Sequence, residues 1–166
     1  KHGLKDEEAL QGHFMKRLCE YIVDKGYIPV MWNGVDADID VHPNAVWQFW
    51  SGEIDASKEN DAKRSLQPAK GFIVSNSSFT YLDFPYGMLD LKKAYSFNPI
   101  QKDYGDNMLG VEVSLWTEYA PNFKTACARL LPRLCALSEA MWSKEKTAYP
   151  QFEERLAFTV QFLKHE

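Results

Sequence analysis

The segment Gly26-Tyr27-Ile28-Pro29-Val30-Met31-Trp32 follows a helical pattern and is apolar from Tyr27 to Trp32. Such a short apolar run predicts a buried strand, with Pro29 near the start or the edge of its ladder because proline donates no ladder hydrogen bond. The residues before it, 6–25, repeat apolar side chains at helical spacing, place acids in the first turn and stop at Gly26. A helix over 6–25 therefore leads into the first strand. The apolar stripe of this amphipathic helix consists of Leu10, Phe14, Leu18, Tyr21 and Ile22.

Helix and strand patterns alternate along most of the chain, with the crossover helix between the first two strands short or missing. Apolar runs predict further strands at residues 45–50, 71–75 and 109–115. Helical patterns are predicted at residues 53–70, 89–95, 122–141 and from Tyr149 onward. Asn122 is the predicted N-cap of the long helix, and Pro132 is expected to kink or divide it. Because strands joined by helical crossovers pair in parallel, the pattern predicts an α/β fold with a parallel sheet.

Chain length limits the architecture. A chain of 166 residues is predicted to form a single domain, residues 1–166. A closed eight-stranded barrel takes about 250 residues, so this chain would supply about half of one. An open doubly wound sheet is the alternative. The Gly-rich turns that such sheets use for phosphate, G-x-G-x-x-G or G-x-x-x-x-G-K-[ST], do not occur in the sequence.

Charge and residue usage argue against several classes of partner. The net charge of -4 and the pI near 5.6 disfavour nucleic acid and anionic membranes, since both require a basic face. No apolar stretch reaches the ~20 residues of a membrane span. The three cysteines and four histidines are scattered without ligand-like spacing. We therefore predict no disulfide framework, no metal site and no cofactor, and the compartment is left open.

Two short segments place an aromatic ring two residues before a carboxylate. They are Tyr81-Leu82-Asp83 and Trp116-Thr117-Glu118. On an extended strand, residues i and i+2 point to the same face, so each segment aims a ring and an acid in one direction. Sugar sites combine carboxylates, which accept hydrogen bonds from hydroxyls, with flat aromatic walls. Glu118 also follows a predicted buried strand, where a carboxylate is costly unless it meets a partner or a ligand.

Each of these residues also has a purely structural interpretation. By spacing alone, Trp32 and Trp50 lie on apolar strands and fit core positions, and Trp142 fits helix packing. Tyr81 and Asp83 fit a capped turn equally well. Spacing alone leaves these alternatives open.

The chain resembles the glycoside hydrolase family 20 β-N-acetylhexosaminidases over nearly its whole length. The matching segments occur in the family's order and at sensible spacings. They are Lys5-Asp6-Glu7-Glu8, the segment from Gly26 to Trp32, Val46-Trp47-Gln48-Phe49-Trp50, Tyr81-Leu82-Asp83, Leu109-Gly110-Val111-Glu112, Leu115-Trp116-Thr117-Glu118, Pro132-Arg133-Leu134, Ala140-Met141-Trp142-Ser143 and Phe152-Glu153-Glu154-Arg155-Leu156. The resemblance implies that the chain is the parallel-stranded second half, strands five to eight, of a catalytic TIM (β/α)8 barrel.

The resemblance also implies a chemistry. The family releases terminal N-acetylhexosamine from glycans with retention, and the substrate's own 2-acetamido oxygen attacks the anomeric carbon, so that no protein nucleophile is needed. By resemblance, Tyr81 is catalytic because it hydrogen-bonds the acetamido oxygen. The remaining matches bind substrate: Trp32, Trp50 and Trp116 as walls of the acetamido pocket, and Asp83 and Glu118 as acceptors for hydroxyls of the terminal sugar.

Two departures from the family pattern affect this interpretation. The family's adjacent Asp-Glu pair, which orients the acetamide and supplies the general acid, has no match in this chain, and no Gly-Asp-Glu occurs in it. We therefore expect the 166-residue chain to be inactive alone. In addition, Asn33-Gly34 follows Trp32 at a place where many relatives carry an acid.

A half-barrel has consequences for partners. Its first and last strands would be unpaired edges, so we expect it to associate with the missing N-terminal half or with another copy. Two other functions are open at this point. Asp83 and Glu118 could be the acid and base of a complete small glycosidase, or the chain could be a non-catalytic module that binds N-acetylhexosamine or serves assembly.

Overall fold

The computed structural model describes residues 3–33, 42–50, 70–99 and 107–163. In chain order the elements within these residues are α1 (Glu7–Asp24), β1 (Val30–Trp32), β2 (Val46–Phe49), β3 (Gly71–Val74), α2 (Ser77–Thr80), α3 (Leu91–Ser96), β4 (Met108–Val111), a 3₁₀ turn (Thr117–Tyr119), α4 (Phe123–Trp142) and α5 (Tyr149–Leu163). Residues 53–69 of the helix predicted over 53–70 lie outside the described residues, and Lys70 is not helical. The chain divides into two compact units. The first is Lys1–Ser77 with Lys102–Val111, and the second is Ser78–Gln101 with Glu112–Glu166.

Helix α1 begins and ends where the sequence predicts, but it buries a different face. The Asp6 side chain caps it by accepting a hydrogen bond from the Ala9 amide at 2.9 Å. Gly26 follows with a φ of 83°, which glycine adopts without strain. Four residues of the predicted apolar stripe are exposed: Leu10, Phe14, Leu18 and Tyr21. The buried residues of α1 are Gly12 and Cys19. The prediction of the buried face was wrong because periodicity identifies an apolar stripe but not the partner that covers it.

The four strands form one parallel sheet in the order β1-β2-β3-β4. Val46 pairs with Val30 on one side and with Gly71 on the other. The predicted α/β fold with a parallel sheet is therefore confirmed. Glycine is required at residue 71, because an added Cβ would lie 2.8 Å from Cγ of Leu109 and 2.9 Å from the carbonyl oxygen of Asn107.

The strands are shorter than the apolar runs that predict them. β1 begins directly after Pro29, whose carbonyl still accepts a hydrogen bond from the Val46 amide at 2.9 Å. The run at 109–115 was expected to be one strand, but β4 ends at Val111. After β4 an isolated parallel bridge joins Ser114 to Tyr81. In β1 only Met31 is buried, although a buried strand was predicted, so an apolar run shows neither how far a ladder extends nor which of its residues are buried.

The core of the first unit comes from α1, the first three strands and the residue before β2. Its buried apolar residues are Cys19, Met31, Ala45, Val46, Trp47, Phe49, Phe72 and Val74. All four residues of β2 are buried, as expected for a central strand of a parallel sheet that is covered on both faces.

The second unit contains α3, α4 and α5. Tyr95 of α3 stacks on Phe152 of α5 with 4.3 Å between ring centroids. Its hydroxyl lies 2.8 Å from Oε1 of Glu139 on α4, and Arg155 of α5 donates to the same carboxylate at 2.6 Å. The predicted N-cap is confirmed, since Asn122 accepts a hydrogen bond from the Thr125 amide at 2.9 Å. The Glu139 carboxylate therefore ties α3, α4 and α5 together.

Two expectations concern α4. Pro132 was expected to kink the helix or to divide it, and it does not divide the helix, since it lies inside one continuous element. Trp142 was expected to pack, but it is 88% exposed. Its neighbour Ala140 is buried, and because an α-helix has 3.6 residues per turn, a residue two positions further on points away from that contact.

Candidate functional site

The predicted site residues lie in both units of the chain. Trp32 and Trp50 belong to the first unit, and Tyr81, Asp83, Trp116 and Glu118 belong to the second. We refer to Tyr81, Asp83 and Trp116 as the tyrosine-aspartate cluster.

An isolated backbone bridge between Tyr81 and Ser114 positions the tyrosine-aspartate cluster. The Leu82 amide donates to the Ser114 carbonyl at 2.8 Å, and the Ser114 amide donates to the Thr80 carbonyl at 2.9 Å. This bridge aligns Tyr81 with the segment that continues to Trp116. The two rings are tilted by 58° with 6.0 Å between their centroids. The structure thus brings together two aromatic residues that are far apart in the sequence.

The Tyr81 hydroxyl is held in its protonated form. Tyr81 is 9% exposed, whereas Trp116 is 43% exposed. Burial raises the pKa of the Tyr81 hydroxyl, a hydrogen bond with Trp116 partly offsets this, and the carboxylates of Asp83 and Glu112 raise the pKa further. The hydroxyl therefore remains a hydrogen-bond donor at neutral pH.

Asp83 carries an unused acceptor. The residue is 2% exposed, and its Oδ1 atom is buried without a hydrogen-bond partner in the part of the chain that the structure describes. A buried polar atom without a partner costs about 1–3 kcal/mol. A ligand hydroxyl or N–H group that reached Oδ1 would remove that cost. Asp83 lies in a turn, which agrees with the turn alternative, but the capping role is not seen at Oδ1.

Glu118 does not occupy the position that the strand pattern predicts. It lies on the exposed 3₁₀ turn, so the alternation of strand faces does not apply to Trp116 and Glu118. The argument from burial fails for the same reason, since an exposed carboxylate needs no partner. Arg129 of α4 anchors this turn by donating from Nε to the Tyr119 carbonyl at 3.1 Å.

Trp32 and Trp50 stand at the C-terminal ends of β1 and β2. They are 38% and 37% exposed, so the core position that spacing alone allowed is wrong for both, and Trp47 is the buried tryptophan of this unit. In barrels, the C-terminal ends of strands carry the active site. Both rings are therefore partly exposed at the C-terminal ends of neighbouring parallel strands.

Asn33 holds Trp50 at two points. Its Oδ1 accepts the Trp50 backbone N–H, and its backbone carbonyl accepts the Trp50 indole N–H, each at 2.7 Å. Trp32, Asn33 and Trp50 line a groove of about 480 Å³ with residues of α1 and β1. That volume lies in the range of small-molecule sites, roughly 300–1,000 Å³.

Sequence reasoning missed the roles of Asn33 and Arg133. Asn33 was noted only as a departure from the family pattern after Trp32. Arg133 is fully buried in α4 at helical spacing from Leu130 and Leu137, so it interrupts an apolar stripe with a charge. A charged residue on the buried face of a helix was the signal that could have singled it out.

The described residues show no sign of two other kinds of site. They contain no group of three or more His, Cys, Asp or Glu residues placed to hold a metal ion. None of the helices in the same ranges is both long and apolar enough to cross a membrane.

Comparison with known proteins points to one family. Residues 1–145 match the family described as glycosyl hydrolase family 20, catalytic domain. A beta-hexosaminidase of Akkermansia muciniphila is 28% identical over 177 residues, which cover 97% of this chain and 35% of that protein. Beta-hexosaminidase subunit alpha of Rattus norvegicus is 29% identical over 163 residues, which cover 92% of this chain and 29% of that protein. The chain therefore spans about a third of the length of these relatives.

Solved structures agree with this chain in fold. The GH20 exo beta-N-acetylglucosaminidase from Vibrio harveyi, in complex with N-acetylglucosamine, has a TM-score of 0.82 at 23% identity, over 98% of this chain and 27% of that one. A mutant Streptomyces plicatus beta-hexosaminidase in complex with GlcNAc has a TM-score of 0.79 at 24% identity, over 90% of this chain and 33% of that one. At these identities the likeness shows the fold alone. The match over residues 1–145 shows that this chain belongs to the catalytic domain of glycosyl hydrolase family 20.

Proposed function

We propose that residues 1–166 are a single partial domain, the second half (strands five to eight) of the (β/α)8 catalytic barrel of an exo-β-N-acetylhexosaminidase. The whole enzyme releases terminal N-acetylhexosamine from glycans by substrate-assisted, retaining catalysis. The family match and the all-parallel sheet support this proposal. So does the length, about a third of that of the related hexosaminidases.

An exposed strand edge and exposed apolar side chains of the same unit support the half-barrel. Within the described residues, β1 pairs with β2 alone, so its other edge presents unpaired N–H and C=O groups. The same unit exposes Leu10, Phe14, Tyr21, Tyr27, Ile28 and Val30. Exposed apolar groups in such number mark a surface that another segment covers. We assign this surface to the missing half of the barrel, with a second copy of the chain as the alternative occupant.

The observation that carries the sugar site is the buried, unpartnered Oδ1 of Asp83. In the proposed complex it accepts a hydrogen bond from a hydroxyl of the terminal sugar, and the exposed ring of Trp116 forms a wall. Glu118, on its exposed turn, accepts from a second hydroxyl. In each hydrogen bond a sugar hydroxyl donates to a carboxylate oxygen that otherwise bonds to water or has no partner.

Tyr81 is the catalytic residue of this half in the proposal. Its hydroxyl donates to the acetamido oxygen of the substrate and holds that oxygen in line for attack on the anomeric carbon, which is a proximity effect. The raised pKa of Tyr81 keeps the proton that this hydrogen bond requires. Trp32 and Trp50 provide exposed stacking surfaces in the first unit for the same class of substrate.

Chromophore release from an aryl N-acetyl-β-glucosaminide tests the proposal. The assay compares the 166-residue chain with a chain extended upstream to include the Asp-Glu pair. Activity in the extended chain alone is the expected result. Activity in the short chain would mean that an internal acid, such as Asp83 or Glu118, transfers the proton, so the assigned roles would be wrong. No activity in either chain would contradict the hydrolase proposal.

A matched pair of variants checks the role of Asp83 in the extended chain. Asp83→Asn removes the charged acceptor and is expected to lower kcat/KM. Asp90→Asn is the control, because Asp90 caps α3 by accepting from the Lys93 amide at 2.7 Å and asparagine caps a helix equally well. Equal activity of the two variants would contradict the role of Asp83.

A non-catalytic module that binds N-acetylhexosamine is the second candidate function. The observation that favours it is the combination of exposed tryptophans with the absence of any Gly-Asp-Glu in the chain. A titration of tryptophan fluorescence with N-acetylglucosamine would show saturation for such a module. A flat titration would count against it.

A further inference from the structure

Arg133 is a buried cation that binds backbone carbonyls. It lies within α4, and the residue is 0% exposed. Its Nη1 atom donates to the carbonyls of Phe84 at 2.8 Å and Leu89 at 3.0 Å, and its Nη2 atom donates to the carbonyl of Leu82 at 2.5 Å. A buried ion is costly unless its donors are satisfied, so these three hydrogen bonds hold the guanidinium and the loop to each other.

Two of these carbonyls belong to the chain neighbours of Asp83. Leu82 precedes it and Phe84 follows it, so the guanidinium fixes the backbone on both sides of Asp83. We call residues 82–89 the Asp83 loop. The hydrogen bond to the Leu89 carbonyl also fixes the last residue of this loop. The direction of the Asp83 carboxylate is restrained as a result.

Tyr86 covers the guanidinium from the loop side. Its ring centroid lies 4.4 Å from Cζ of Arg133, which is a cation–π contact. Its hydroxyl donates to the carbonyl of Ala128 on α4 at 3.1 Å. Burial lowers the pKa of Arg133, and interactions with Tyr86 and Asp83 partly offset this. Arginine nevertheless remains charged, because its ordinary pKa is so high.

We propose that Arg133 is a positioning residue for Asp83, which holds the carboxylate where a sugar hydroxyl reaches it. The inference rests on the proposed function. Lysine cannot replace Arg133, because one ammonium group does not reproduce the rigid fork that reaches all three carbonyls. An apolar side chain of similar volume would fill the space and leave the carbonyls without donors.

A double-mutant cycle in the full-length protein that carries this chain tests the inference. Arg133→Lys is expected to lower kcat/KM for an aryl N-acetyl-β-glucosaminide by about ten- to hundredfold through misplacement of Asp83. In an Asp83→Asn background the same substitution should change kcat/KM by less than about threefold, because residues that act through one contact are not additive. A residue that merely stabilises the fold would give the same factor in both backgrounds, and that result would overturn the inference.

Glu139→Gln is the matched control on the same helix. Glu139 ties α4 to α3 and α5 rather than to the Asp83 loop. Its substitution is expected to lower the melting temperature and to leave the Asp83 loop and kcat/KM unchanged. A loss of kcat/KM as large in Glu139→Gln as in Arg133→Lys would also overturn the inference.

Amide hydrogen exchange supplies a readout that needs no substrate. Residues 82–89 are expected to lose protection in Arg133→Lys and to keep it in Glu139→Gln. If Arg133→Lys fails to fold, Tyr86→Leu removes the cover of the guanidinium at a 41% exposed position and should loosen the same loop. Unchanged protection in the folded variant would overturn the inference. If the full-length protein without substitutions is inactive, the proposed function is wrong. The hydrogen-exchange result would still decide whether Arg133 holds the Asp83 loop.

Discussion

Replacing Asn33 with alanine should destabilise the first unit by releasing Trp50. Asn33 is 3% exposed, and its Oδ1 accepts the Trp50 backbone N–H at 2.7 Å. Losing such a hydrogen bond costs a net 0.5–1.5 kcal/mol, and a buried donor left without a partner costs about 1–3 kcal/mol. Trp50 is 37% exposed, so water can satisfy part of the released group. We therefore expect the free energy of unfolding to fall by about 1–2 kcal/mol.

Urea unfolding followed by tryptophan fluorescence measures this loss. For a typical slope of about 2 kcal/mol per molar urea, the midpoint should move down by about 0.5–1 M with an unchanged slope. The indole N–H of Trp50 bonds to the Asn33 backbone, so that contact survives the substitution. The effect is therefore expected to be smaller than that of replacing Trp50 itself.

Asn44→Ala is the matched control for this prediction. Asn44 is an exposed asparagine of the same unit, so its substitution should change the free energy of unfolding by no more than about 0.5 kcal/mol. Equal midpoints for Asn33→Ala and Asn44→Ala would refute the reasoning that Asn33 clamps Trp50.

Three further predictions concern chemistry, pH and packing. Tyr81→Phe keeps the ring but removes the donor, so kcat for an aryl N-acetyl-β-glucosaminide should fall by about 100- to 1,000-fold in the extended enzyme, and an unchanged kcat would contradict the role of Tyr81. Burial raises the pKa of Glu139, but hydrogen bonds from Arg155 and Tyr95 outweigh it and hold the pKa below its ordinary value. The stability that Glu139 contributes is therefore present above the ordinary carboxylate pKa and lost as the pH falls through the lower folded value. The difference in Tm between the parent and Glu139→Gln should shrink below about pH 4, and a difference that does not depend on pH would speak against this. Gly71→Ala should destabilise by about 1–3 kcal/mol through overpacking, whereas an added Cβ at Gly110 meets nothing within 4 Å; equal unfolding midpoints for the two alanine variants would rule out the close approach at β3.

Local signals predicted the regular elements well. The stop at Gly26 and the cap at Asn122 each depend on a dihedral angle or a hydrogen bond within a few residues. Parallel pairing also followed from the sequence, because strands that are joined by helical crossovers pair in parallel. These features do not depend on distant parts of the chain.

Burial was harder to predict than helices and strands. The apolar stripe of α1 was identified, yet Phe14 and Tyr21 are exposed. Trp32 and Trp50 were ambiguous for the same reason, since an apolar strand residue can face a core or a site. Glu118 was placed on a strand that ends earlier, so its expected orientation was wrong. In each case the missing information was which surface packs against which.

The sequence by itself determined the four strands and their parallel class, the stop at Gly26, the cap at Asn122 and the family resemblance, because each depends on neighbouring residues or on motifs that can be compared directly. Only the tertiary structure decided that Asp83 keeps a buried oxygen without a partner, that Asn33 clamps Trp50 and that Arg133 holds the Asp83 loop. These contacts join residues that are distant in the chain. A buried polar group is satisfied or left open by the atoms that surround it in the folded chain, and residue spacing alone does not contain those distances.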